Sequence, residues 1–459
     1  MTGSRQNIFR LRILQGLILL VPLPFGSAPE PFVTIFSLVL VIWIALAWPD
    51  IEGLIPLPGG RWLARLVMLL PVVALVQLIP LPRGLVGAIH PGALPLLDSL
   101  PMAASDWLPL SLAPGITFGV ALHLLALTLF FITFLRLPVG RLEARGISFA
   151  LLVSAGVQVL IGATRMLMPN GKFFLFFYPV DNPMPWAALT GTFVDAAQAA
   201  LFIGMALLAG LGMWAAEAGL FSSRGPRPST LKQWLFPGSI TGSHLALIAV
   251  CVAGFALVRN KNLFWLMTGA GTVALLLWLF TRFAPDYRRR LSWIFLVAML
   301  MAMAMGITRT HPRFQEQRTG DTVSMDTTPA IKNMIRDFPV LGTGFGTFSQ
   351  VNPVYIDYPE LHLSHARNEW LEATAEGGLF SLALLVSALL LYLWGMWHGW
   401  SNCPDRWARG AAAGMLAAAM LFWGTCFFHY PLRVPGLVFP GLLLMALAAR
   451  LVTCKGEKR

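Results

Sequence analysis

Long apolar runs, separated by short polar stretches, set the hydrophobic pattern of this 459-residue chain. A helix needs roughly 20 mostly apolar residues to cross the hydrocarbon core of a bilayer. Twelve runs of about that length lie near residues 12–28, 32–48, 64–82, 114–135, 147–166, 195–215, 240–258, 263–281, 291–308, 378–398, 407–428 and 434–451. The first run also resembles a signal-peptide core, and we interpret it as a retained helix. The pattern predicts an all-α, polytopic membrane protein with about twelve transmembrane helices.

The composition favours a membrane protein over a soluble domain. Hydrophobic residues make up 57% of the chain and charged residues 12%, and the mean hydropathy is +0.70. A soluble domain carries about twice that charged fraction. The four cysteines, Cys251, Cys403, Cys426 and Cys454, fit neither a metal-binding spacing nor a disulfide framework. Redox chemistry is therefore not expected.

The net charge of +12 is concentrated in alternate loops. If the N-terminus is cytoplasmic, every second loop carries Arg or Lys, as the positive-inside rule requires. The basic segments contain Arg61 and Arg65; Arg136, Arg141 and Arg145; Arg224, Arg227 and Lys232; Arg282, Arg288, Arg289 and Arg290; Arg406 and Arg409; and Lys455, Lys458 and Arg459. Both termini are thus predicted in the cytoplasm, and the remaining polar segments on the outer face.

One long outer segment divides the chain into three parts. Helices 1–9 occupy residues 1–308, an outer loop occupies 309–377, and helices 10–12 with a cytoplasmic tail occupy 378–459. A loop of this length is more than a connector and is typical of a functional region. We therefore expect the chemistry of the protein to lie in the long loop.

Two short elements are predicted inside that loop. In "PAIKNMIRDFP", Ile331, Met334, Ile335 and Phe338 keep the spacing of one helix face, and Pro339 ends the helix. The stretch "GTGFGTF" at 342–348 follows, with three glycines that allow a tight turn or a close backbone approach.

The end of the loop, "HLSHARNEWLEATAEGG", is unusually polar for this chain. Counted as a helix from His365, it places Asn368, Glu369, Glu372 and Glu376 on one stripe. A histidine beside the membrane surface can act as a base or as a hydrogen-bond relay. The same spacing also fits a solvated helix face that enters the bilayer, and spacing alone favours that simpler interpretation.

Several cations remain on the outer face although the positive-inside bias disfavours them. Arg259 and Lys261 lie in a short turn between two apolar runs, where they could simply reach the headgroups. The others on that face are Arg165, Arg309, Arg313, Arg367 and Arg433. As a group they indicate an anionic ligand, because the guanidinium fork matches phosphate oxygens. No carboxylate-rich metal motif accompanies them, so neither a metal nor a cofactor is predicted.

Three stretches together resemble the O-antigen ligase family. They are "DFPVLGTGFGTF", "SHARNEWLEATAEGGLFSLALLV" and "TGTFVDAAQAALFI", and the specific part covers residues 337–378. O-antigen polymerases and bacterial O-oligosaccharyltransferases share the superfamily. In three places the chain departs from the pattern. Arg367 replaces a histidine next to the asparagine, Ser324 lies near the place of a frequent arginine, and Asp195 and Gln198 stand where relatives often have asparagines.

The resemblance implies a glycosyltransferase of the bacterial inner membrane with its active site facing the periplasm. Such an enzyme takes a glycan from undecaprenyl diphosphate and transfers it to a sugar hydroxyl of lipid A-core, without a metal or nucleotide. The expected partners are this donor, this acceptor and membrane lipids, and nucleic acid is not among them. The overall layout favours the ligase, while a polymerase and a protein O-oligosaccharyltransferase stay open.

The resemblance also implies roles for particular residues. His365 takes the catalytic role on the acceptor side. The cations expected to bind the diphosphate are Arg259, Lys261, Arg309, Arg313 and Arg318, and the expected supporting residues are Arg367, Asn368, Glu369, Glu372 and Glu376. We expect a single displacement with inversion, because no carboxylate pair for a covalent intermediate is evident.

Two other classes of protein are alternatives to an enzyme. A secondary transporter places ionisable residues near the bilayer midplane. The apolar runs here contain His123, His244 and Asp195 and little else, and Asp195 lies at the edge of its run. A non-catalytic partner in polysaccharide assembly is the second alternative, because periodicity does not demonstrate turnover.

Overall fold

A computed structural model describes residues 2–51, 53, 55–92, 94, 96, 106–167, 172–173, 177–179, 189–218, 242–258, 313–318, 321–326, 328–356 and 364–453. The helices in this part are α1 (Thr2–Leu20), α2 (Glu30–Ala47), α3 (Gly60–Val76), α4 (Arg83–Ile89), α5 (Pro114–Arg136), α6 (Arg141–Leu167), α7 (Ala196–Glu217), α8 (Gly242–Val258), α9 (Thr328–Asp337), α10 (Phe348–Val351), α11 (Glu369–Asn402), α12 (Arg406–Thr425) and α13 (Pro435–Thr453). Single 3₁₀ turns lie at Phe25–Ser27, Trp48–Asp50, Asn352–Val354 and Pro431–Arg433.

The protein is mostly helical, as predicted. Ten of the twelve predicted apolar runs coincide with helices, and the runs at 263–281 and 291–308 lie outside the described residues. Among the described helices, six are long and apolar enough to cross a membrane: α2, α5, α6, α7, α11 and α13. The total of twelve spans therefore stays a prediction.

Three short antiparallel strand pairs were not predicted. β1 (Pro80–Pro82) pairs with β2 (Trp107–Pro109), β3 (Lys172–Phe173) with β4 (Phe177–Pro179), and β5 (Arg313–Arg318) with β6 (Asp321–Asp326). They are two to six residues long. Runs this short carry too few alternating positions to stand out in a sequence dominated by apolar helices.

Small residues hold α7 against α12 at the centre of the bundle. A side chain added to Gly212 of α7 would place its Cβ 2.5 Å from the Cα of Gly414 in α12. Most of α7 and α13 is buried, and the segment of α12 between them is rich in alanine. Small side chains let helix backbones approach closely in membrane proteins, where packing drives association. The backbones of α7 and α12 are therefore in direct contact in the last two turns of α7.

The predicted helix in the long loop is present as α9, which ends at Asp337 before Pro339. Ile331, Met334 and Phe338 are buried, as their spacing indicated. Ile331 and Met334 pack with Ala375 of α11, so α9 covers the first turns of α11.

The glycine-rich turn lies on a break in α11. Gly342, Gly344 and Gly346 all have positive φ, and so does Gly378, where the helix loses its regular geometry. At the break the loop supplies hydrogen bonds: Thr343 N donates to Ala375 O at 3.0 Å and Gly344 N to Glu376 O at 3.0 Å. The turn thus pairs helix carbonyls that the break leaves open.

Gln77 fixes this arrangement from the end of α3. Its side-chain amide donates to Glu376 O at 2.9 Å and accepts from Phe345 N at 3.1 Å. A Cβ on Gly342 would lie 2.2 Å from the carbonyl carbon of Glu376, so only glycine fits there. The first turns of α11 are held by the loop and by α3 together.

Candidate active site at the start of helix α11

Helix α11 begins at Glu369, and the prediction of a helix from His365 was wrong. Asn368 is the N-cap, and its side chain accepts a hydrogen bond from Leu371 N at 3.1 Å. Arg367 has a φ of 51°, which no α-helix continues. His365 therefore lies ahead of the helix, because an asparagine cap and a left-handed residue separate it from the first turn.

His365 nevertheless contacts the predicted stripe through Glu372. The His365 Nδ1 to Glu372 Oε1 distance is 2.9 Å, and Ala366 N donates to Glu372 Oε2 at 2.8 Å. Glu372 is buried and His365 is partly exposed. When the Nδ1–H donates to a carboxylate, Nε2 is left as the proton acceptor. The pair has the arrangement of a general base with an orienting carboxylate.

Arg433 lies among the three glutamates of the stripe. Its Nε donates to Glu369 Oε1 at 3.2 Å, an Nη donates to Glu376 Oε2 at 2.5 Å, and Glu372 Oε1 lies 3.6 Å from its Nε. Burial alone would lower the pKa of Arg433, but Glu376, Glu372 and Glu369 raise it above its ordinary value. One permanent cation thus compensates three buried carboxyl groups.

Backbone groups complete the coordination of these carboxyl groups. Leu432 N donates to Glu369 Oε2 at 3.2 Å, and Phe348 N donates to Glu376 Oε1 at 3.0 Å. Buried charges are tolerated when each lone pair finds a donor. Glu369, Glu372 and Glu376 are therefore buried around Arg433 and hold its side chain in place. They do not form the solvated face that spacing alone favoured.

A stack of three rings extends the site away from α11. Tyr430 lies 4.2 Å from His365 between ring centroids and 4.5 Å from His429, with interplanar angles of 27° and 22°. On the far side, His429 Nε2 lies 3.1 Å from Asp195 Oδ2. Burial, followed by the charge of Asp195, raises the pKa of Tyr430 to about 12. Its phenol is therefore neutral at ordinary pH and does not serve as a base.

Asp195 is the N-cap of α7, and its side chain accepts from Ala197 N at 2.8 Å. The loop before it is tightly fixed, because Thr192 N donates to Gln158 Oε1 at 2.8 Å and Thr192 Oγ1 donates to Pro22 O at 2.6 Å. Gly191, at a φ of 58°, approaches Gln158 too closely to carry a side chain. The "TGTFVD" stretch thus presents one carboxylate at a defined position.

An apolar cavity of about 130 Å³ lies between α3, α5, α11, α12 and α13. Its wall includes Leu432, which is the neighbour of Arg433, together with Leu63, Val67 and Phe131. The 3₁₀ turn Pro431–Arg433 therefore borders the apolar cavity through Leu432 and carries the buried cation Arg433.

The structure brings part of the predicted site together. His365, Asn368, Glu369, Glu372 and Glu376 lie at one end of α11, with Arg367 beside them. Arg259, Lys261 and Arg309 lie outside the described residues. Arg313 and Arg318 are the end residues of β5, of which only the backbone pairing is described.

Four residues of this site were not predicted from the sequence. Arg433 was grouped only as an outer-face arginine, and Asp195, His429 and Tyr430 were not assigned a role. Their contacts bridge long sequence separations, such as 234 residues between His429 and Asp195. The one available signal was "HYPLR" at 429–433, a short polar stretch between two apolar runs with three ionisable side chains in it.

A protein-family model described as O-antigen ligase matches residues 239–386. The match confirms the resemblance seen in the sequence, and it includes His365 and the three glutamates. No curated protein matches the chain.

The O-antigen ligase domain covers only one side of the site. Arg433, Asp195, His429 and Tyr430 all lie outside residues 239–386, so the remainder of the chain supplies the partners of the domain. The match supports a relation to the superfamily of O-antigen ligases and polymerases, whose activity is of the glycosyltransferase type. Together with the apolar helices, it indicates a multi-pass membrane protein.

Proposed function

We propose that this protein transfers a glycan from undecaprenyl diphosphate to a sugar hydroxyl of lipid A-core, at the periplasmic face of the inner membrane. The observation that carries the proposal is the His365–Glu372 pair, in which a partly exposed imidazole is oriented by a buried carboxylate at 2.9 Å. The family match supports the chemistry, and the apolar helices support the membrane setting.

In the proposed reaction His365 acts on the acceptor. The acceptor hydroxyl oxygen attacks the anomeric carbon of the donor sugar and gives its proton to Nε2 of His365. The bond between the anomeric carbon and the diphosphate oxygen breaks, and the diphosphate leaves with the electron pair. A positioned base of this kind accelerates a reaction by about 10²–10⁴-fold. Glu372 holds the imidazole and stabilises the imidazolium that forms.

The surroundings of His365 favour a single displacement with inversion. A double displacement requires a carboxylate that can attack the sugar, about 5–5.5 Å from an acid or base partner. Glu369 and Glu376 are buried and accept from Arg433, and Glu372 is buried and bonded to His365 and Ala366 N, so none of these three is available as a nucleophile. Asp195 lies on the other side of Tyr430 and His429 from His365, so we assign the role of nucleophile to the acceptor oxygen.

The departing diphosphate needs cations, and the sequence provides candidates for them. Arg259, Lys261, Arg309, Arg313 and Arg318 are proposed to contact it. Charge accumulates on the diphosphate as the glycosyl bond breaks, so such contacts act most strongly in the transition state. Loss of one is expected to cost about 3–4 kcal/mol of barrier, by analogy with oxyanion donors.

The apolar cavity beside Leu432 fits a donor carried on a hydrocarbon chain. An isoprenoid segment placed there lies next to the turn that contains Arg433 and leads to Tyr430 and His365. The lipid would then hold the diphosphate at the level of the catalytic histidine. This neighbourhood favours a lipid-linked donor over a soluble nucleotide sugar.

Deletion of the gene, followed by analysis of lipopolysaccharide and lipid-linked glycans, tests the proposal. A ligase leaves lipid-linked polymer unattached to lipid A-core, and wild-type protein restores attachment while His365→Ala does not. His398→Ala, at the other end of α11, is the matched histidine control and should complement. Single repeat units would instead identify a polymerase, and unmodified glycoprotein a protein transferase. Full complementation by His365→Ala would contradict catalysis by this residue.

A further inference from the structure

Asp195 differs from every other carboxylate of the site because it is exposed. Its side chain is 30% exposed, whereas Glu369 and Glu372 are 3% and 1% exposed. One oxygen accepts from Ala197 N and the other lies 3.1 Å from His429 Nε2. A carboxylate has about four lone-pair positions, so two acceptor positions stay available.

The carboxylate of Asp195 is held in place from two sides. It caps a helix that is almost entirely buried, and the preceding loop is fixed through Thr192. His429 is buried behind it, with a 5% exposed side chain. His429 Nδ1 is buried and has no hydrogen-bond partner in the described part of the chain. A buried polar atom without a partner costs about 1–3 kcal/mol, so this imidazole is retained at a cost in stability.

Asp195 lies at the other end of the ring stack from His365. The ring of Tyr430 lies between His429 and His365, and the charge of Arg367 lowers the pKa of both Asp195 and Tyr430. Burial alone would raise the pKa of Asp195, but the hydrogen bond and charge of His429 lower it to about 2. The group is thus ionised near neutral pH, at the end of the stack that begins at the proposed base.

We propose that Asp195 is a saccharide-binding residue whose carboxylate accepts a hydrogen bond from a hydroxyl group of a bound sugar. The inference rests on the proposed function, because it places the sugar in the same site as His365. An ionised carboxylate makes short, strong bonds to O–H donors. His429 is the positioning residue that fixes the direction of the second oxygen of Asp195.

Kinetics of Asp195→Asn in proteoliposomes test the inference, with lipid-linked O-antigen as donor and rough lipopolysaccharide as acceptor. Asparagine preserves size and the cap on Ala197 N, and it removes the charge. The KM for one saccharide substrate should rise about tenfold to a hundredfold, while kcat changes less than threefold. A change in acceptor KM places the contact on the acceptor sugar, and a change in donor KM places it on the donor sugar. Unchanged values for both overturn the inference.

Asp405→Asn is the matched control. Asp405 also caps a helix, accepts from the N–H two residues later and pairs with Arg141 at 2.8 Å. It lies at the opposite end of α12 from Thr425 and the His429 segment. Its substitution should leave both KM values unchanged. His429→Gln, which keeps an N–H donor for Asp195, should raise KM less than Asp195→Asn does.

Direct binding separates a failure of the inference from a failure of the proposed function. Delipidated core oligosaccharide and delipidated O-antigen polysaccharide are titrated against the full-length protein in detergent, with and without Asp195→Asn. Weaker binding of either saccharide supports the inference even if wild-type protein shows no transfer. If wild-type protein transfers glycan, His365→Ala does not, and Asp195→Asn binds and turns over normally, only the inference is overturned.

Discussion

Two imidazole–carboxylate pairs flank Tyr430, and their exposure is opposite. In the His365–Glu372 pair the imidazole is 30% exposed and the carboxylate 1%. In the His429–Asp195 pair the imidazole is 5% exposed and the carboxylate 30%. An imidazole and a carboxylate are thus paired twice, with the exposed group exchanged between the pairs. In the proposed function, the first pair presents the imidazole to substrate and the second presents the carboxylate.

The difference follows from what surrounds each carboxylate. Glu372 lies in the anchor around Arg433, where a buried cation and backbone donors compensate its charge. Among the described residues, the carboxylate of Asp195 accepts from one side chain and one N–H, which leaves acceptor positions for solvent or a ligand. The comparison teaches that burial and hydrogen-bond partners decide which group of an imidazole–carboxylate pair is exposed.

The largest effect should come from the exposed member of the first pair. His365→Ala removes the proposed base, and the rate of glycan transfer in proteoliposomes should fall by about 10²–10⁴-fold. The thermal midpoint should change little, because His365 is partly exposed. A rate within threefold of wild type, at equal protein, would show that His365 is not the base of the reaction.

Loss of Arg433, which pairs with the buried glutamates around Glu372, should lower the stability of the protein. Arg433→Leu leaves three buried carboxyl groups without a cation, and removal of one partner from a buried ion pair costs about 3–5 kcal/mol. The thermal midpoint in detergent should fall clearly. Addition of Glu369→Gln and Glu376→Gln should recover part of the loss, since it removes the uncompensated charge. No recovery would mean that Arg433 acts by packing rather than by charge.

Substitution of Glu372 should lower the transfer rate less than substitution of His365 does. Glu372→Gln removes a charged hydrogen bond to His365, and such bonds contribute about 1.5–3 kcal/mol. Transfer should therefore fall about tenfold to a hundredfold, with little change in either KM. A larger change in KM than in kcat would assign Glu372 to binding, and the contrast with Asp195 would disappear.

The smallest effect is expected at the ring between the pairs. Tyr430→Phe keeps both stacks and removes only the hydroxyl. Because the pKa of Tyr430 is raised to about 12, its phenol stays protonated well below that pH. At each pH between 6 and 9 the transfer rate of the variant should stay within about twofold of the wild-type rate, because burial holds the titration of Tyr430 above this window. A loss of activity on the alkaline side only would restore tyrosine as a candidate base.

The fold and half of the site could be predicted from the sequence because they depend on local pattern. Apolar length located ten helices, helical spacing placed Glu369, Glu372 and Glu376 on one face, and Pro339 ended α9. The start of α11 was misplaced because a cap and one left-handed residue outweigh spacing over four positions. Local pattern works where a single helix decides the outcome.

The other half of the site depends on contacts between distant segments. Arg433 meets Glu369 across 64 residues, and the ring stack joins the end of α12 to the loop before α11. No periodicity encodes such pairs. Asp195 was visible only as a polar residue at the edge of an apolar run, and nothing in the sequence states which histidine it contacts.

The contact between Gly212 and Gly414 has a consequence far from where it lies. α7 and α12 run antiparallel, so this crossing is about 25 Å along the axis from the ends that carry Asp195 and His429. The packing of Gly212 against Gly414 helps to set the register of α7 on α12, and this register brings Asp195 next to His429 at the other end of the helix pair. A change in the length of a surface loop would therefore leave the spacing of Asp195 and His429 unaltered, as long as α7 and α12 keep this contact.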